Sequence, residues 1–294
     1  MKERPILFSA AMVRALLEGR KTQTRRMMKA CLYGKPGDRL YVKEAYWAWG
    51  KWVPNGLTKG GRKAWKFLPV GGSIRYVENK PKTTIRRDGE CGWVYRHGRF
   101  MPKAHSRITL EITEVRVQRL QEISEEDCLA EGVTVEAFEE WLRPVAAKAK
   151  TENLCWISTV TGYSDEEYCR DCADVKVAEL ISAGADPEGT HVDGGWGGGQ
   201  SDSPERCETC GIILETTLTD YGVEEELSHF SSNSFDQSPE TAHELLDMAA
   251  GCDSDEQRLT VAKIAYRWLW ESINGAGSWD ANPWVWAVTF KRVT

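Results

Sequence analysis

Met12, Ala15, Leu16 and Leu17 recur at helical spacing within Ala10–Gly19, and Gly19 supplies a stop, so the pattern predicts a short amphipathic helix there. After the turn signal Gly37-Asp38, Arg39 to Trp49 is rich in Val, Tyr and Trp and predicts a strand. Residues 50–100 carry short aromatic or β-branched runs separated by Gly and Pro, a pattern of strands joined by long loops. Arg107 to Leu120 sets Ile108, Leu110 and Ile112 against polar neighbours, the alternation of a half-buried strand. Ser124 followed by three acids predicts an N-capped helix, and a second helix is expected over Val135 to Ala147. Asp255 to Asn274 predicts a further helix through Leu259, Ile264, Trp268 and Leu269, and Pro283 to Val293 a closing strand. There is no internal repeat.

Composition adds a division to this pattern. Between Gly184 and Glu205 the chain is poor in core-forming residues and rich in Gly, Asp, Ser and Pro, which predicts a flexible segment. The net charge of −6 hides two opposed halves. Residues 1–110 hold 25 Lys and Arg against 7 Asp and Glu, whereas 151–255 hold 3 against 24. Such a split predicts parts with different partners. The expected architecture is α+β: one domain from residues 1–150 and 256–294, with a basic aromatic insertion at about 46–104, interrupted by an acidic insertion at 151–255. Within the basic half, Trp47, Trp49, Trp52, Trp65 and Trp93 interleave with the cations. That suits a polyanion with stackable bases, or equally a solvated face balancing the acidic half. No run approaches the roughly 20 apolar residues needed to cross a bilayer, and the N-terminus lacks a secretory pattern, so a cytoplasmic protein without a membrane partner is expected.

The chain contains nine Cys, an odd number ill-suited to a disulfide framework in the cytosol. Four form two hooks, Cys169-x-x-Cys172 and Cys207-x-x-Cys210. Each hook offers two thiolates from one tight turn, and together they can surround Zn²⁺ tetrahedrally. The long Gly-rich connection between the hooks loops out at small entropic cost. A site filled by four sulfurs is closed, hence structural, and would stabilise an insertion too polar to fold by burial alone. His191, His229 and His243 are substitute ligands whose spacing demands nothing. Cys31, Cys91, Cys128, Cys155 and Cys252 are expected to be apolar fillers or incidental thiols.

The densest chemistry lies in Gly19-Arg20-Lys21-Thr22-Gln23-Thr24-Arg25-Arg26. A Lys among cations loses proton affinity, and a neutral Lys can take the proton of a Thr hydroxyl three residues on. Read from the residues alone, the same run also serves as a cationic loop that binds phosphate or solvates a helix end.

Gly19-x-Lys21-x-x-Thr24-x-Arg26 resembles the signature of the ASCH domain, a relative of the PUA RNA-binding fold, and GRKTQTRR is similar to the small bacterial ASCH amidohydrolases of N4-acetylcytidine. Gly37-Asp38-Arg39-Leu40, the stretch Leu120 to Val133, and the closing PWVWAVTFKRV resemble further family segments in the same order. The likeness spans about 130 residues in pieces, mainly over 5–45, 105–135 and 283–294, and the whole chain looks like longer ASCH-type proteins of phages and prophages. It implies a PUA-like β-barrel with flanking helices, Thr24 as nucleophile, Lys21 as its base and Glu131 as the acidic partner. Arg20, Arg25 and Arg26 are then the cations expected to hold a nucleoside or nucleic acid, and Trp49, from the basic aromatic stretch, is a further candidate for that contact. Three functions follow as expectations. The first is hydrolysis of an acyl-amide on a modified nucleoside or base. The second is RNA or DNA binding without turnover. The third is an adaptor whose acidic zinc insertion docks a protein partner.

Overall fold

A computed structural model of the chain describes residues 1–28, 33–85, 90–153, 155–163, 167–194, 199–201 and 203–293. Cys31 and part of the Gly-rich stretch, 195–198, lie outside the described residues. The architecture is mixed α+β, as expected, in two compact units. One comprises 1–122, 129–132 and 283–294, and the other 123–128 and 133–282.

The first unit is built on a five-stranded sheet. Its strands are β1 (Glu3–Leu7), β2 (Gln23–Met27), β3 (Arg39–Lys43), β7 (Thr109–Arg119) and β14 (Trp284–Arg292), numbered along the whole chain and ordered β1-β3-β7-β14-β2. β1 pairs with β3 in parallel and the other pairs are antiparallel. Helix α1 (Ala10–Leu17) buries Met12, Ala15 and Leu16 of the expected stripe, with Val13 taking the place of the exposed Leu17, and the Ser9 side chain caps its start. The core joins Ile6, Phe8, Leu40, Val42, Ile108, Leu110, Ile112, Val285, Ala287 and Phe290. The expected closed barrel is not formed: β1 and β2 are edges, and the sheet is open among the described residues.

The expected strand from Arg39 to Trp49 is two strands. β3 stops at Lys43, and β4 (Tyr46–Leu57) enters a second sheet, between β5 (Lys63–Tyr76) and β6 (Gly92–Arg96). At the switch, Arg107 grips the buried Glu44 carboxylate with two hydrogen bonds of 2.9 Å. The region expected to be short runs and loops is therefore dominated by one long β4–β5 hairpin, whose register shifts at Ala48/Gly50 and Pro54/Leu57 absorb its Gly and Pro residues.

In the second unit, α3 (Val135–Ala146), α5 (Asp220–Ser232), α6 (Pro239–Ala250) and α7 (Asp255–Asn274) pack together. Helix α2 (Glu125–Ala130), with Ser124 accepting from the Asp127 N–H, carries the chain from one unit to the other. Trp268 of α7 meets Phe138 edge-on at 6.4 Å and stacks on Phe235 at 6.3 Å. These contacts place α7 with the acidic helices rather than with the five-stranded sheet, so the unit boundaries differ from those expected at 150/151 and 255/256. Two small sheets complete this unit: β8 (Thr151–Asn153), β13 (Ile213–Leu218) and β12 (Gly199–Ser201), all parallel, and an antiparallel set of β9 (Cys155–Thr159), β10 (Gly162–Tyr163) and β11 (His191–Gly194). α4 (Arg170–Ser182) packs on β9 and β11. No helix of the described residues is long and apolar enough to cross a membrane.

Candidate functional site

Gly19 takes φ +79 after α1, turning the chain so that the Lys21 N–H reaches the Ala15 carbonyl at 3.1 Å and the Thr22 N–H reaches Ala130 at 2.8 Å. The second bond brings the end of α2 against the GRKTQTRR run. Gly132, at φ +83, lets the two backbones approach, since a Cβ there would sit 2.9 Å from the Ala15 Cβ and 3.0 Å from the Lys21 Cβ. Two positions 110 residues apart are thereby joined. Lys21 Nζ donates to Glu131 Oε2 at 2.6 Å and to the Glu131 carbonyl at 2.7 Å. Both side chains are buried, the lysine completely.

Arg25 Nη1 lies 3.5 Å from the other Glu131 oxygen, Oε1, and donates to Gln23 Oε1. One carboxylate is thus set between two buried cations. Burial drives the Lys21 ammonium below the ordinary lysine range, with Arg26 and Arg25 adding to the effect against the opposing pull of Glu131. Phe8 forms an aromatic wall, its ring centre 5.6 Å from Lys21 Nζ and 5.3 Å from the Arg26 guanidinium carbon. Arg26 also donates to the Leu7 carbonyl at 2.9 Å. Arg20 is half-exposed, paired with Glu18 and bonded to the Gly132 carbonyl at 3.2 Å.

Of the three expected catalytic residues, Lys21 and Glu131 are brought into contact. Thr24 is buried in β2, where strand alternation sets it on the side of Arg26, opposite Gln23 and Arg25. The Lys21 ammonium bonds to Glu131 and not to the Thr24 hydroxyl among the described residues. Trp49 stands in the second sheet, edge-on to Trp93 at 5.5 Å. Phe8 and Gln23 are cluster members that the sequence did not single out. Gln23 lay within the motif, whereas nothing in the local pattern distinguished Phe8 from a core residue.

The four expected cysteine ligands also converge, their sulfurs all lying within 4.8 Å of one another. Cys169 precedes the first turn of α4, and Cys172 lies within that turn. The second hook is a tight turn: the Gly211 N–H reaches the Cys207 carbonyl at 2.8 Å, with Gly211 at φ +71. Cys169 and Cys210 sulfurs stand 3.7 Å apart. A tetrahedron with metal–sulfur arms of about 2.3 Å has edges near 3.8 Å, so the spacing fits such an ion. Burial and neighbouring sulfurs push the Cys172 thiol up; burial likewise opposes ionisation of Cys207, but backbone N–H donors outweigh it and bring that thiol down to about 6. The cluster can hold a metal ion. Around it Cys155, Ile157, Tyr168, Ala173 and Leu214 form a small buried core.

Comparison with family models, curated proteins and solved structures finds no match to this chain.

Proposed function

We propose that the first unit is an ASCH-type hydrolase acting on an acyl-amide of a modified nucleoside or base, N4-acetylcytidine being the substrate of that pattern. The observation that carries this reading is the buried Lys21–Glu131 pair, assembled from positions 110 residues apart. A buried ion pair is a poor stabiliser compared with apolar residues of equal volume, and a lysine with lowered proton affinity is suited to base chemistry. In this reading Lys21 passes its proton to Glu131 and, now neutral, takes the proton of Thr24 as Oγ attacks the acyl carbon. Glu131 gives its proton to the amine nitrogen as the C–N bond breaks. Water then adds to the acyl-threonine, its proton going to Glu131, while Lys21 returns a proton to Thr24 Oγ and the acid departs. Arg26 and Arg20 are the cations assigned to substrate phosphate or oxyanion.

Chromatography of N4-acetylcytidine incubated with the protein tests this. Cytidine release is expected from the parent chain, with Thr24→Ala and Lys21→Ala inactive yet folded by circular dichroism. Turnover by Thr24→Ala at the parental rate would remove the threonine from the mechanism. A second reading, recognition without turnover, draws on the bonding of Lys21 to Glu131 rather than to Thr24; it gains if all three proteins are inert but bind the nucleoside.

For the cysteine cluster we propose a structural Zn²⁺, because an all-thiolate tetrahedral set is the donor set that suits zinc. A purified protein carrying one zinc per chain is the expected result.

A further inference from the structure

The sheet of β4, β5 and β6 has two unlike faces. Tyr46 and Ala48 are buried and pack with Met101, Phe67, Ile74 and Tyr76, and Val94, opposite Ala48 in the register, is buried too. Alternation sends the intervening residues to the other side, and the register aligns them: Trp47 opposite Arg75 and Tyr95, Trp49 opposite Trp93, Lys51 opposite Leu68, Val53 opposite Lys66. This second face is open. Tyr95 is 44% exposed, Lys66 and Arg75 are exposed, and Trp47, Trp49 and Trp93 are half-buried. The rings brace one another edge-on, Trp47 with Tyr95 at 5.3 Å and Trp49 with Trp93 at 5.5 Å, and the Arg75 guanidinium lies 4.8 Å over Trp93. The rings are therefore braced in pairs, and Trp93 has a cation directly over it.

We infer that this face binds single-stranded nucleic acid, its bases stacking on Trp47, Trp49, Trp93 and Tyr95 and its phosphates held by Lys51, Lys66 and Arg75. The occupant follows from chemistry. Residues 46–104 contain 13 Lys and Arg against 3 Asp and Glu, a surplus that calls for a polyanion. Aromatic rings on that surface call for a polyanion that carries flat apolar groups. A duplex hides its bases from such a platform, whereas a single strand presents them. The inference is independent of the proposed hydrolysis, since the sheet lies outside the segments that resemble the ASCH family and contains none of Lys21, Thr24 and Glu131.

Fluorescence anisotropy of the full chain with labelled 15-nucleotide oligo(dT) and oligo(rU) provides the test, with the matching duplex and poly-glutamate as competitors. Single strands should bind, more weakly as salt rises. Duplex and poly-glutamate should compete at least tenfold less well than unlabelled single strand. Trp49→Ala and Trp93→Ala should each weaken binding about tenfold, Trp49→Phe much less, and Lys66→Glu should flatten the dependence of log affinity on log salt by about one. Trp93→Ala and Lys66→Glu should cleave free N4-acetylcytidine as the parent does, so failure of binding and failure of catalysis are read separately. Equal binding of poly-glutamate, or parental affinity in folded Trp49→Ala and Trp93→Ala, would overturn the inference. The ratio of oligo(rU) to oligo(dT) affinity identifies the sugar preferred.

Discussion

Glu131→Gln keeps the shape of the buried cluster and removes the charge between its two cations. Lys21 Nζ is 2.6 Å and Arg25 Nη1 3.5 Å from the carboxylate that is lost, and both cationic side chains are fully buried. Breaking a buried pair in this way costs about 3–5 kcal/mol, because the remaining charge is left uncompensated. The loss has two parts that pH separates. An arginine does not deprotonate, so its share persists. Lys21 can shed its proton, and with the charge of Glu131 gone, burial, Arg26 and Arg25 lower its proton affinity further. In the unfolded chain a lysine holds its proton to about pH 10.4. Between the lowered folded value and that value the unfolded state binds more protons, so stability rises with pH, by at most about 1.4 kcal/mol per pH unit. The variant's window opens at lower pH than the parent's. Urea unfolding of both proteins between pH 6 and 9.5 should therefore show a deficit that is largest at low pH and shrinks as pH rises. A deficit constant across that range, or one below about 1 kcal/mol throughout, would refute the account of a buried and uncompensated lysine.

Other perturbations discriminate among the remaining features. Gly132→Ala should cost more than Gly19→Ala in the same unfolding assay: both adopt positive φ, worth about 1–2 kcal/mol, but only at 132 does the new methyl group meet Ala15 and Lys21. Stripping metal with a strong chelator should reduce the helical circular dichroism signal as α4 and its small sheet lose their anchor, and Cys207→Ser should abolish stoichiometric zinc. Ser254→Ala removes one arm of the capping box with Gln257 at the start of α7 and should lower stability by about 1 kcal/mol.

What the sequence discloses is what depends on near neighbours. Helix α1 with three of its four expected apolar residues buried, the alternation of β7, the Ser124 cap and the full extent of α7 each follow from residues a few positions apart, and each is found. The cysteine hooks are legible for the same reason, because each turn is local and the two hooks share one chemistry. The strand break at Glu44 is not legible, since it depends on Arg107, 63 residues away. The Lys21–Glu131 contact entered only through resemblance: no spacing rule links positions 110 apart, and the bond from Thr22 to Ala130 that brings them together is a backbone contact without a side-chain signature. Nor did charge and composition show that α5 and α6 would form in the acidic segment. Their apolar residues Val223, Leu227, Phe230, Leu245 and Met248 are few, but they fall on buried faces.

The two polar centres draw on different physics, and this has a testable consequence. The Lys21–Glu131–Arg25 cluster is fixed by backbone turns around Gly19 and Gly132, whereas the cysteine cluster is fixed by α4 and the 207–210 turn. They share no residue and no element, and they belong to different compact units. Perturbations at independent sites add to within about 0.5 kcal/mol. The effect of Glu131→Gln on hydrogen-exchange protection in β2 and β14 should therefore be the same with metal present and with metal removed, and chelation should lower protection in α4 and β9 equally in parent and variant. A chelator that exposes β2 amides, or a Glu131→Gln change that exposes α4, would mean that the units fold as one cooperative body, and the separate assignment of the two centres would then fail.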